Sequence, residues 1–235
     1  MNTNQGSIDP RALAVFLMEW RRFFSQGRAL YIVPFALLGI LLVVRYDINS
    51  PFIPIFISLF GVVEAQYNNI LFRSRNELEA LSQFSMNWRS VVFVKNVATI
   101  TLSLFLACIV SVVLLYFSPR LPSVGEVGRA ALYFLTVVFP LLHLGNLRSV
   151  HDPRREPGWS FGDIAESLWM PAFAAIFSIP FVVFSIAFSL DVISAIYAVV
   201  VFVFWLRKSV PTTAQSIELE LGAICERASL KSPTW

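Results

Sequence analysis

The sequence predicts an all-α integral membrane protein: six transmembrane helices preceded by an amphipathic interfacial helix, with both termini cytoplasmic. Composition and the placement of basic residues lead to this prediction. Of the 235 residues, 57% are hydrophobic and 14% are charged, whereas a soluble domain carries about 45–50% apolar and about 25% charged residues. Disorder is excluded because it requires low hydrophobicity and high net charge. The 10 Gly and 13 Pro follow no period, which excludes a fibrous repeat.

The first element, residues 1–28, is predicted to be an amphipathic helix in the membrane interface. Asp9 and Pro10 fit an N-cap followed by the first helical residue. Apolar residues recur at helical spacing after them, at Leu13, Phe16, Leu17, Trp20 and Phe24. Arginines accompany that stripe at positions 11, 21, 22 and 28, a pattern typical of interfacial helices. The alternative is that this segment begins a long first span.

Six apolar stretches follow, and a helix needs about 20 residues to cross the hydrocarbon core. They are residues 29–46, 52–72, 91–117, 127–144, 168–190 and 192–206. Asp191 alone separates the last two stretches, which together are too long for one crossing. Pro180 leaves a second possibility open, a short fifth helix followed by a re-entrant piece, which requires cover by protein or water.

The positions of Lys and Arg indicate the orientation. With both termini inside, the cytoplasmic segments hold 15 of the 18 basic residues. Those segments are 1–28, 73–95, 145–167 and 207–235. The other three basic residues are Arg45, Arg120 and Arg129. This asymmetry follows the positive-inside rule and supports an even number of spans. No nucleic-acid partner is expected, because no basic cluster is interleaved with exposed aromatic residues.

The sequence offers little for catalysis. Residues 158–162 fit G-x-S-x-G, but a nucleophile elbow needs a strand-to-helix turn with His following it. Both histidines, His143 and His151, precede the string, so a polar loop with turn-forming glycines is the simpler interpretation. The two Cys and two His lack metal-ligand spacing, and no Walker A string occurs. We therefore expect no catalytic residue, no metal site, no cofactor bound by this chain and no enzymatic activity of its own.

A polar end to the second span is a candidate site. Glu64 is the one acid well within a predicted span, and burial of such a group costs about 2.5–3.5 kcal/mol on insertion scales. Gln66, Asn68 and Asn69 continue the polar stretch. These residues either line a translocation path or helix seam, or form interhelical hydrogen bonds near the cytoplasmic interface.

The cytoplasmic segment 73–90 is a second candidate site. It contains a short predicted helix, 77–83, with leucines on one face and acids beside them, followed by a polar turn. Such a helix suits docking into a groove on a cytoplasmic partner. The residues predicted to dock are Glu77, Leu78, Glu79 and Leu81.

This layout resembles the transmembrane subunits of ABC-2-type ABC transporters over nearly the whole chain. Those proteins have six spans with both ends inside, begin with an amphipathic interface helix, and carry a segment of the form E-x-L-x-x-L between helices two and three. A basic residue then leads into the third helix. The pattern maps onto Glu77, Leu78, Glu79, Leu81 and Lys95. The family usually has a Pro after the short helix, where this chain has residues 84–87, Phe-Ser-Met-Asn.

The resemblance implies a permease subunit of an ATP-driven exporter in the bacterial inner membrane. Two permeases would pair as a homodimer or heterodimer, each resting on a cytoplasmic ABC ATPase that binds ATP and magnesium. Residues 77–81 would act as the coupling helix, and the path would run between the permeases along helices one, two and five. A non-transporting scaffold or assembly protein has the same coarse signature and stays an alternative. A secondary transporter fits less well, because ion coupling usually needs more than one buried acid, and two histidines argue against a membrane enzyme.

Overall fold

A computed structural model describes residues 10–25, 33–46, 52–65, 87–117, 121–151, 176, 179–180, 183 and 191–230. Within these ranges the regular elements are helices, without a strand. They are α1 (Pro10–Ser25), α2 (Val33–Tyr46), α3 (Phe52–Ala65), α4 (Trp88–Phe117), α5 (Val124–His151), α6 (Asp191–Phe204), a π-turn (Trp205–Ser209) and α7 (Val210–Leu230).

Three of the described helices are long and apolar enough to cross a membrane. They are α4, α5 and the helix that runs from Asp191 to Leu221. This confirms the prediction of a helical protein suited to a membrane, whereas the count of six spans and the interfacial position of α1 stay predictions. Helices α2 and α3 have 14 residues each and lie inside the predicted spans 29–46 and 52–72. The predicted span 168–190 lies outside the described residues except for positions 176, 179–180 and 183.

Side-chain caps explain why α4 and α5 each begin three residues before the predicted spans. Asn87 caps α4, since its Oδ1 accepts a hydrogen bond of 2.9 Å from the backbone N–H of Arg89. Ser123 and Glu126 form a reciprocal capping box at the start of α5. The Ser123 N–H donates to the Glu126 carboxylate at 2.7 Å, and the Glu126 N–H donates to the Ser123 Oγ at 3.2 Å.

The last helix extends well past residue 206, where the sequence placed the end of the sixth span. It continues through the π-turn to Leu230, into the segment assigned to a cytoplasmic tail, 207–235. Proline accounts for the π-turn. Pro211 lacks an N–H, and its ring would crowd the carbonyl of Arg207 in a regular helix. The wider turn, closed by a bond from the Val210 N–H to the Trp205 carbonyl, accommodates it.

Helix α4 is central to the described bundle. Helices α1, α2, α3 and α7 all pack on it, and α5 packs on α3, α6 and α7. Gly39 lets α2 approach α3 closely. A Cβ at this position would overlap the Cδ1 of Ile57 and lie 3.3 Å from the Cγ2 of Ile53.

Helices α5 and α6 run side by side in the same direction. Arg129 near the start of α5 contacts Asp191 at the start of α6. Further along, the rings of Phe139 and Phe202 lie 5.1 Å apart, and His143 contacts Ser209. The positions on both helices therefore increase together, and His151 and Asp191 lie at opposite ends of α5.

Candidate functional site

Most of the predicted site residues lie outside the part of the chain that the structure describes. Glu64 lies in the last turn of α3, and only its backbone is described. Gln66, Asn68 and Asn69 lie outside the described residues, as does the predicted docking helix of Glu77, Leu78, Glu79 and Leu81.

A buried ion pair joins α1 to α4. The Glu19 Oε1 lies 3.0 Å from the Lys95 Nζ, and the two side chains are 3% and 1% exposed. Arg22, one turn further along α1, brings its Nη1 to 3.7 Å from the same carboxylate oxygen. Because an unpaired buried charge is costly, Lys95 and Arg22 both stabilise the Glu19 carboxylate in this interface.

Apolar and aromatic contacts flank this pair along the whole of α1. Val15 and Val91 pack together, and Trp20 donates its Nε1–H to the Thr101 Oγ1 at 3.2 Å. The Trp20 and Phe105 ring centroids are 5.3 Å apart. The contact positions increase together on both helices, so α1 runs along α4 in the same direction. The ion pair lies between the two ends of this interface.

The face of α1 that packs on α4 overlaps only partly with the predicted apolar stripe, since Trp20 and Phe24 contact Phe105. Val15, Glu19 and Phe23, spaced four residues apart, are buried. Leu13 and Leu17 belong to the predicted stripe, but they are 47% and 55% exposed. The exposed leucines are available to a lipid interface, while the buried face is committed to protein.

A second polar contact joins α5 to the π-turn. The His143 Nδ1 and the Ser209 Oγ are 2.9 Å apart, so they share a hydrogen bond. Trp205, one turn before Ser209, is 2% exposed. Its ring lies 5.2 Å from that of Phe139 and 6.0 Å from that of Phe93. The π-turn thus forms the junction of α4, α5 and α6.

An ion pair of a different kind lies at the other end of α5. The Arg129 Nε lies 3.2 Å from each carboxylate oxygen of Asp191, and both side chains are about two-fifths exposed. Asp191 is also the first residue of α6, where a negative charge is favoured by the helix dipole. This contact fixes the start of α6 beside that of α5.

The sequence contained a signal for Lys95 but none for its partner. Lys95 lies four residues inside the predicted third span, and an ionisable group within a span marks a functional position by default. The resemblance to ABC-2-type subunits instead assigns it as the basic residue that leads into the helix. Among the described residues, no group of three or more His, Cys, Asp or Glu side chains is placed to hold a metal ion.

Comparison of the chain with models of known protein families, with curated proteins and with solved structures finds no match.

Proposed function

We propose that this chain is the membrane-spanning permease subunit of an ATP-driven transporter of the ABC-2 type, working as an exporter. It pairs with a second permease, identical or different, and each permease rests on a separate cytoplasmic ATPase that supplies ATP and magnesium. A bacterial inner membrane is the proposed location. The long apolar helices, the positive-inside asymmetry and the lack of a Walker A string in the sequence support this proposal.

The observation that carries the proposal is the buried Glu19–Lys95 pair. The proposed coupling segment, 73–90, ends in the first turn of α4, which the Asn87 cap begins. A displacement of that segment by an ATPase would act on α4. Because the ion pair and its flanking contacts hold α1 against α4, the two helices would move as one unit. A permease without chemistry of its own needs such a rigid connection from its cytoplasmic segment to its membrane helices.

The first experiment tests the ATPase partnership. The chain is co-expressed with an ABC ATPase encoded beside it and purified through a tag on the permease, in detergent and then in lipid nanodiscs. The expected result is a stable complex whose ATP hydrolysis exceeds that of the ATPase alone. A chain that folds but never retains an ATPase contradicts the proposal and favours the scaffold.

A substitution then tests the docking segment. Leu81→Glu places a charge on the apolar face of the predicted coupling helix, so we expect it to abolish stimulation of the ATPase. The matched control is Leu219→Glu on α7, where the leucine is 78% exposed and lies between Glu218 and Glu220. Both variants should elute as folded protein in size-exclusion chromatography. Equal stimulation by the two variants would overturn the assignment of 77–81 as the docking segment.

A further inference from the structure

Two more polar side chains follow the His143–Ser209 contact, one along α5 and one along α7. Asn146 follows His143 by three residues, and Thr213 follows Ser209 by four, so each lies on the same helix face as its predecessor. Because α5 and α6–α7 run in the same direction, Asn146 and Thr213 lie level with one another, one turn beyond His143 and Ser209.

Both side chains are buried without a hydrogen-bond partner among the described residues. Asn146 is 0% exposed and Thr213 is 1% exposed. The Oδ1 and Nδ2 of Asn146 and the Oγ1 of Thr213 all lack a bond. A buried polar group left unsatisfied costs about 1–3 kcal/mol, and buried groups of this kind in folded proteins almost always have a protein or water partner. Two such side chains at one level of one interface therefore point to a shared ligand.

We propose that bound water bridges Asn146 and Thr213 and extends to the Ser209 hydroxyl, forming a hydrated polar site inside the helix bundle. A buried water typically makes about three hydrogen bonds. The Asn146 amide offers two donors and an acceptor, and the hydroxyls of Thr213 and Ser209 each donate and accept. These groups satisfy a small water cluster in full. Such a site is a property of the folded chain and is independent of transport.

Water fits this site better than an ion does. An amide and two hydroxyls are neutral, and a fully buried cation without a counter-charge would be strongly disfavoured. No acidic cluster that could bind a metal occurs in the part of the chain that the structure describes. The π-turn supplies a reason for the position of the site, since the extra residue in that turn directs Ser209 toward α5.

X-ray footprinting detects such water directly in the native protein in nanodiscs. Radiolysis produces hydroxyl radicals from bound water as well as bulk water, and these oxidise the nearest side chains. We expect His143 to be oxidised under X-rays but to react little with radicals generated in bulk solvent by peroxide photolysis. Asn146→Leu should abolish the X-ray oxidation of His143. Phe134, on the same helix and 3% exposed, serves as the buried reference. Oxidation of His143 that is unchanged in Asn146→Leu would overturn the proposal.

A thermal-stability cycle gives an independent test. If water is shared, Thr213→Val and Asn146→Leu should each lower the Tm, and the double variant should lose less than the sum of the two. The control is Thr136→Val, which is also fully buried but whose hydroxyl bonds within its own helix, to the Tyr133 carbonyl at 2.8 Å. If the two polar side chains are dry, the apolar replacements should raise the Tm or leave it unchanged, and their effects should add. That result would contradict a bound water.

Discussion

Removal of the charge on Glu19 is the sharpest test of the packing of α1 on α4. Glu19→Gln keeps the size of the side chain but removes the carboxylate that lies 3.0 Å from the ammonium group of Lys95, which is 1% exposed. Loss of one partner of a buried ion pair costs about 3–5 kcal/mol. For a chain of this length, about 2–4 °C of Tm accompanies each kcal/mol. We therefore expect the Tm of Glu19→Gln to fall by roughly 6–20 °C.

The double variant Glu19→Met/Lys95→Met separates the charge effect from packing. Replacement of both members of a buried pair by apolar side chains of similar volume is often neutral or stabilising. The double variant should thus recover most of the stability that either single variant loses. The Tm values of the single and double variants are measured in nanodiscs by thermal unfolding, with intrinsic tryptophan fluorescence as the signal. Trp20 lies in the interface itself and reports on it directly.

Two results would refute this reasoning. A Tm for Glu19→Gln equal to that of Arg21→Gln, a change at an exposed neighbour on the same helix, would mean that the pair is not buried in the membrane-embedded protein. Additive losses in the double variant would mean that the two side chains act independently. Either result would also remove the observation on which the proposed transmission through α1 and α4 depends.

Three further substitutions test other contacts in the bundle. Gly39→Val should lower the Tm by an amount equivalent to about 1–3 kcal/mol, because overpacking displaces the isoleucines of α3. The same change at Gly128, where a Cβ meets nothing within 4 Å, should lower the Tm clearly less. Ser123→Ala removes the capping box of α5 and should cost about 1 kcal/mol of stability. Ser123→Asp should retain most of that stability, and equal losses in the two variants would argue against the cap. Arg129→Gln should cost at most about 1 kcal/mol, since its pair with Asp191 is partly exposed, and the difference from the native Tm should shrink at high salt.

The apolar runs 91–117 and 127–144 lie within α4 and α5, because long hydrophobic stretches leave few other structures available in a membrane. Each of these helices begins three residues before its predicted span. A hydrophobicity pattern does not register the caps at Asn87 and Ser123, whose effect depends on single hydrogen bonds. The end of the last helix was missed for a related reason. Arg207 and Lys208 indicate an exit from the membrane, but exposed basic residues do not interrupt a helix, and α7 continues to Leu230.

The candidate sites were harder to predict because they join residues distant in sequence. Glu19 and Lys95 are 76 positions apart, and nothing in either local pattern indicates the other. On α1 the periodicity indicated an amphipathic helix, but it could not distinguish the face that packs on α4, with Val15 and Phe23, from the exposed face with Leu13. The sequence shows which residues near the membrane are polar, but only the three-dimensional structure shows which of them contact each other.

The Arg129–Asp191 contact also strengthens the argument for orientation. The sequence left three basic residues on the outer side, and Arg129 was one of them. Its guanidinium pairs with the carboxylate of Asp191, the first residue of α6. The same contact places the starts of α5 and α6 together, and the two helices run in the same direction. Arg148 on α5 and Arg207 and Lys208 beyond α6 therefore lie toward the opposite end, on the side that the positive-inside rule assigns to the cytoplasm.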